Sequence, residues 1–170
     1  MDKYNFSIRK LTREDFDKIV EFRKNFAPSP VLKSNEADIY KWKCFDNPLG
    51  EGWIWIAEYE NKIVSTASMT IKYFKVLGTL VTSAETGDTF THPDYQRKGL
   101  FTRLCRSTKE EAIQKGINFI YGFPNNNSLP GYIKHLDYLQ LNRPALYYLA
   151  RPLNLKNVLK SKGINFFPIN

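Results

Sequence analysis

Between Thr89 and Thr102 the chain passes from a strand-like run into a helical one across a short basic loop, and this junction constrains the fold more than any other stretch. Thr89, Phe90 and Thr91 are β-formers, and His92-Pro93 interrupts them because proline lacks an N–H and restricts the residue before it. Gln96-Arg97-Lys98-Gly99 then lead into Leu100, Phe101, Leu104, Cys105, Thr108 and Ala112; from Phe101 onward these mark one face of a helix. The first N–H groups of that helix have no partner within it, and the helix dipole places partial positive charge there, so the junction is suited to holding a phosphate by main chain alone. Gly99 lets the backbone come close to such an anion.

Other segments predict the rest of the fold. A short strand over residues 6–9 precedes Thr12 and Asp15, which read as a capping-box-like start for a first amphipathic helix carrying Phe16, Ile19, Val20 and Phe26. Ala27-Pro28-Ser29-Pro30 ends it, and Ser34 offers a cap for a second helix reaching about Trp42. Residues 53–57 and 63–74 are strand-like, with Glu60-Asn61 between them at hairpin length, and a further strand spans about 79–91. After the helix that opens at the basic loop, Lys115-Gly116 is a stop, residues 117–121 form a short buried-type strand, and Ser128 is expected to cap a short helix with Pro130 in its first turn. Residues 145–149 predict a late strand and 154–162 a basic helix. The order βααβββαβαβ implies an α/β fold with a mixed central sheet and flanking helices. The domain is drawn as residues 1–151, followed by a basic C-terminal extension over 152–170.

A chain of 170 residues suits one domain, and no apolar run approaches the length that crosses a bilayer. The N-terminal residues lack the apolar core of a secretory signal, so a cytoplasmic location is expected. The net charge of +8 favours anionic partners, but the basic residues are scattered and form no nucleic-acid arm. Neither nucleic acid nor membrane is expected as a partner, and a homodimer is compatible with the sequence. Cys44 and Cys105 have no metal-type spacing with His92 or His135; free thiols and no metal site are expected.

Gln96-Arg97-Lys98-Gly99 after His92-Pro93 resembles the Q/R-x-x-G-x-G/A loop of the GNAT superfamily of N-acetyltransferases, and the order of elements, with the Glu60-Asn61 hairpin and the closing 132–138 segment, follows that family across nearly the whole chain. The resemblance implies acetyl-CoA as co-substrate and direct transfer of acetyl to the amine of a small molecule; the basic balance leans toward an anionic acceptor such as a nucleotide-linked amino sugar. It implies cofactor contacts at Gln96, Arg97, Lys98, Gly99, Leu100, Phe101 and Thr102 for the pyrophosphate. Main-chain contacts at Thr89, Phe90 and Thr91 would serve the pantetheine, with an amide from the asparagine triplet, assigned to Asn126 and Asn127. Phe101 departs from the pattern, standing where the family has Gly or Ala; its ring is expected to pack beneath the helix.

In this resemblance Glu85, eleven residues before Gln96, is the general base, with Asp88 as a substitute. An amine must lose a proton before it attacks, and a carboxylate can take it. The tyrosine that protonates the leaving thiolate in many relatives falls here on Ile133, so the neighbouring Tyr132 is the candidate acid, and the acid can also be absent. His92 and His135 are expected to be non-catalytic. Trp53 and Trp55 share one strand face and Ile54 and Ile56 the other, with one of these faces a candidate lining for the acceptor. A module that keeps the fold and the cofactor site without catalysis is the competing expectation, supported by Phe101 and Ile133.

Overall fold

Two pairs of residues with positive φ set the meander at the centre of the molecule. Glu60 (φ 49°) and Asn61 (φ 60°) join β2 (Trp53–Tyr59) to β3 (Lys62–Val76), and Leu77 (φ 48°) with Gly78 (φ 86°) joins β3 to β4 (Thr79–Thr91). Two successive positive φ values belong to the tight turns whose twist matches that of paired strands. The computed structural model describes residues 4–26 and 36–141. Within them β1 (Ser7–Lys10), α1 (Phe16–Phe26), α2 (Glu36–Cys44), α3 (Leu100–Gln114), β5 (Phe119–Gly122) and α4 (Leu129–His135) complete the order βααβββαβα. This matches the order expected from the sequence as far as α4; the late strand over 145–149 and the extension lie outside the described residues.

The sheet has the spatial order β1-β2-β3-β4-β5. Its first three pairings are antiparallel, and β5, which returns through α3, lies parallel to β4. Alternation along β2 divides the core. Ile54 and Ile56 pack with Ile19, Phe22, Tyr40 and Cys44 under α1 and α2. Trp53 and Trp55 turn to α3, where their indole N–H groups donate to the Thr108 carbonyl (3.0 Å) and the Glu111 carboxylate (2.9 Å). These two tryptophans therefore anchor α3 and are not on the face that carries Glu85.

At the start of α1 the Thr12 N–H donates to Asp15 Oδ2 (3.0 Å), as the capping-box reading requires. Arg9 reaches the same carboxylate (2.6 Å) and Glu58 (2.7 Å), so the Asp15 carboxyl is held far below its ordinary range, chiefly by its bond to Arg9. At α4 the cap differs from the expected one. Ser128 makes no side-chain cap bond; Asn125 Oδ1 instead accepts the N–H groups of Asn127 and Ser128, each at 3.0 Å. The asparagine carboxamide can span two N–H groups of the turn, which the shorter serine hydroxyl does not do here.

Candidate functional site

The strand that carries the site loses its neighbour halfway. β4 pairs with β5 from Ser83↔Phe119 to Thr86↔Gly122, and there the pairing stops while β4 continues to Thr91. Among the described residues, 87–91 thus have no strand along that edge. On the other edge β4 bulges: Ser68 pairs with Gly87 but Thr66 with Phe90, and Asp88 takes φ 46°. A bulge leaves ladder groups unpaired, and side chains of β3 answer several of them. The hydroxyls of Ser65, Thr66 and Ser68 donate to the carbonyls of Phe90 (3.1 Å), Asp88 (2.8 Å) and Gly87 (3.0 Å). The bulge is thereby held by three buried hydroxyls rather than by strand pairing. A cavity of about 180 Å³ opens where β4 and β5 part, lined by Thr86–Thr89 on one side and by Phe123, Pro124, Asn125, Ser128 and Tyr132 on the other. A larger hollow of about 520 Å³ lies against Trp55 and the outer face of α3, away from both the strand opening and the basic loop.

The basic loop sits next to this opening. Gln96 is tied back by its amide to the Thr91 carbonyl (3.2 Å), after which Arg97 (φ 59°) and Gly99 (φ 75°) both take left-handed conformations. Such local changes of handedness turn successive N–H groups to one side, the geometry of an anion-binding concavity. The first helical bond of α3 runs from Arg103 N–H to the Gly99 carbonyl (3.1 Å), so the N–H groups of Leu100, Phe101 and Thr102 have no acceptor inside the helix. A Cβ placed on Gly99 would meet nothing within 4 Å, so the space in front of the loop is open. Arg97 and Lys98 are exposed beside it. Asn126 and Asn127 lie exposed in the turn before α4.

Tyr132 projects from α4 to the inside of the opening, whereas Ile133 is 39% exposed on the outside. The Tyr132 hydroxyl lies 3.2 Å from Thr86 Oγ1, 3.3 Å from Thr89 Oγ1 and 3.9 Å from Cys105 Sγ. Burial is the main reason its pKa is pushed up to about 12, so it keeps its proton at neutral pH. Phe101 packs edge-on against the Tyr132 ring, with centroids 5.2 Å apart, and is not among the residues lining the cavity. Its ring also sits over Gly131: a Cβ there would fall 2.5 Å from Phe101 Cε1. The bulky residue at the loop and the missing side chain on α4 thus fit one another. Gly131→Ala should destabilise the protein by about 1–3 kcal/mol through overpacking, although alanine is otherwise the better helix former. In the Phe101→Ala background the same change should cost nothing or stabilise; urea unfolding of the four proteins measures this coupling.

Glu85 lies on the opposite face of the sheet, directly across from Thr70 and Tyr121. The Tyr121 hydroxyl donates to Glu85 Oε2 (3.3 Å), and Lys72 Nζ is 3.8 Å from the same oxygen. Burial, and then the Glu85 charge, push the Tyr121 pKa up to about 12. Sequence reasoning did not single out Tyr121, because its partnership with Glu85 exists only through the β4–β5 register. Asp88 is differently placed. Lys43 (2.6 Å) and Arg23 (3.3 Å) close on its carboxylate, tying α2 and α1 to the bulge. Burial opposes its charge, but the two cations prevail and hold its pKa below the ordinary value. A carboxylate so stabilised is a poor proton acceptor.

A carboxyl whose pKa falls on folding adds stability that is fully present above its unfolded pKa and is lost as pH falls through the folded one. Asp88→Asn should therefore cost about 3 kcal/mol at neutral pH by leaving the partly buried cations without their counter-charge. The gap to wild type should narrow below about pH 4, where the unfolded carboxyl begins to protonate. Urea melts between pH 3 and 7 provide the check. The histidines stand apart from this chemistry. His92 Nδ1 accepts the Asp94 N–H (3.2 Å) with its ring against Phe26, and His135 is exposed. Cys44 and Cys105 are buried free thiols, and burial is the main cause raising their pKa values to about 12 and about 11. Among the described residues no group of three His, Cys, Asp or Glu side chains could hold a metal ion, and no helix is long and apolar enough to cross a membrane.

An interrupted β4–β5 pair beside a left-handed loop and a helix N-terminus is the architecture of an acetyltransferase domain. Residues 7–139 match the acetyltransferase (GNAT) domain family, and the chain belongs to it. No curated protein shows a significant match to the sequence. Among solved structures, a predicted acetyltransferase from Clostridium acetobutylicum, crystallised with acetyl-CoA, superposes with a TM-score of 0.68 at 20% identity, over 85% of this chain and 96% of that one. Glucosamine-6-phosphate N-acetyltransferase from Arabidopsis thaliana is similar at TM-score 0.65 and 17% identity, covering 85% and 99% of the two chains. The acetyltransferase AAC(6')-Iy, in complex with a CoA–acetylneamine bisubstrate analogue, is similar at TM-score 0.67 and 13% identity, covering 87% and 99%. At these identities the likeness is one of fold.

Proposed function

We propose that this chain transfers an acetyl group from acetyl-CoA to the amine of a small molecule by direct attack within a ternary complex. The observation that carries the reading is the opening between β4 and β5, with the Tyr132 hydroxyl on one side of the sheet and the Glu85 carboxylate on the other. The edge over residues 87–91, with no strand beside it, offers main-chain groups to an extended chain with amides of its own, which is what pantetheine is. The cavity has room for the thioester end, and the N–H groups of Leu100, Phe101 and Thr102, which have no acceptor inside α3, would hold the pyrophosphate beside the open space at Gly99. In this reading Asn126 and Asn127 stand at the α4 side of the pantetheine. Glu85 removes the proton of the attacking amine, and Tyr132 gives its proton to the departing sulfur. The two buried, protonated thiols suit direct attack rather than an acyl-cysteine intermediate. That several similar folds are named for acetyl transfer to amino sugars or aminoglycosides supports an amine acceptor.

Release of free thiol from acetyl-CoA in the presence of an amine panel tests the reaction. Titration calorimetry with CoA and ADP tests the cofactor site: CoA should bind more tightly, because only it can use the β4 edge. Gly99→Val should weaken CoA by at least tenfold, since the new side chain occupies the open space before the loop and the left-handed φ of 75° is strained for a β-branched residue. A second reading, a binding or regulatory module without turnover, rests on two departures from the family pattern, Phe101 at the loop and Ile133 at the position of the acid. CoA binding without thiol release for any amine would establish it.

A further inference from the structure

The sheet face that carries Glu85 ends in a row of rings. Phe119 and Tyr121 project from β5 on this face, and Phe74 joins them from β3. Ring centroids lie 5.2 Å apart for Phe74 and Phe119, 5.2 Å for Phe74 and Tyr121, and 5.8 Å for Tyr121 and Phe123. Despite this mutual packing, Phe74 is 39% exposed, Phe119 36% and Phe123 63%, so the cluster presents a broad apolar shelf beside a single carboxylate. Phe123 also lines the cavity between β4 and β5, which makes the shelf continuous with the place assigned to the thioester.

We infer that this shelf is the acceptor subsite, and that the acceptor is a primary amine carried on an aromatic or similarly flat apolar body, with its nitrogen at Glu85. The inference rests on the reading of Glu85 as the base. Its chemistry follows from what the shelf lacks. A sugar needs several hydrogen-bonding partners and a phosphate needs an uncommitted cation. The phenol of Tyr121 already donates to Glu85, Lys43 and Arg23 are engaged with Asp88, Lys72 is paired with Glu85, and the rest of the shelf is phenyl rings. Rings attract an approaching ammonium by cation–π interaction and hold a flat body by stacking. Lys72, 3.8 Å from the Glu85 carboxylate, places a positive charge near the bound nitrogen and so favours its neutral, nucleophilic form.

Calorimetry of the whole chain saturated with CoA, using phenethylamine, glucosamine 6-phosphate and spermidine as probes, separates the acceptor classes without requiring turnover. Phenethylamine should bind at least tenfold more tightly than the other two. Phe74→Ser and Phe119→Ser, both at part-exposed positions outside the cavity, should each weaken it about tenfold while leaving CoA affinity and the urea midpoint nearly unchanged. In turnover the same variants should raise KM and spare kcat, as expected for binding shared by ground and transition states. Tighter binding of either polar probe overturns the inference, as does phenethylamine binding that ignores both substitutions. A shelf covered by the chain itself would show as lost stability in Phe119→Ser together with no phenethylamine binding, and that also overturns it. Phenethylamine bound at the shelf without acetylation would leave the subsite standing and remove the acetyl-transfer reading.

Discussion

Replacing Glu85 with Gln should lower turnover of the acceptor amine by about 10²–10⁴-fold, the range for loss of a general base, while cofactor affinity and fold persist. The glutamine keeps an oxygen for the Tyr121 hydroxyl to donate to, so the β4–β5 contact at 3.3 Å survives and the loss is confined to proton transfer. The defect should shrink as pH rises towards the amine's own pKa, because a neutral amine needs no base. His92→Ala in the same assay should change little, since its Nδ1 serves the Asp94 N–H at the Pro93 turn. Near-full activity in Glu85→Gln at neutral pH, with activity abolished in His92→Ala and CoA still bound, would assign the base to the histidine.

Glu85 is named through its offset from the basic loop in the family pattern, and its place on β4 is legible because that offset runs along one strand. The same is true of the Glu60-Asn61 hairpin, the breaks at Pro93 and Gly116, and the helix opened by Gly99, all of which are set by residues within a few positions of one another. What could not be read depends on partners far apart in the chain. Ser65, Thr66 and Ser68 look like ordinary β-formers until β4, some 20 residues on, bulges and gives their hydroxyls three carbonyls to satisfy. Asp88 reads as a substitute base, yet its charge is held by cations from α1 and α2. Phe101 is a departure from a motif when seen alone; beside Gly131, thirty residues later, it becomes half of a matched pair.

The same dependence on tertiary placement governs Tyr132. By spacing the acid falls on Ile133, but successive residues of a helix differ by about 100°, and only one of these two can face the strand. Tyr132 does so, with its hydroxyl between Thr86 and Thr89, while Ile133 is turned to solvent. Tyr132→Phe removes the hydroxyl but keeps the ring that packs on Phe101 and Tyr138, at 5.2 and 5.0 Å. Thr89 retains a bond to the Gly87 carbonyl (3.3 Å), so the stability loss should be about 1 kcal/mol, that of one hydrogen bond. Turnover should fall by about 10²-fold or more, the scale for a lost general acid, with CoA affinity within about twofold of wild type. Because the pKa of this phenol is pushed up to about 12, the wild-type rate should show no fall from its ionisation below about pH 11. Ile133→Ala should leave kcat unchanged. Equal kcat in Tyr132→Phe and wild type would mean that the thiolate leaves unprotonated and that the hydroxyl serves only to tie α4 to β4.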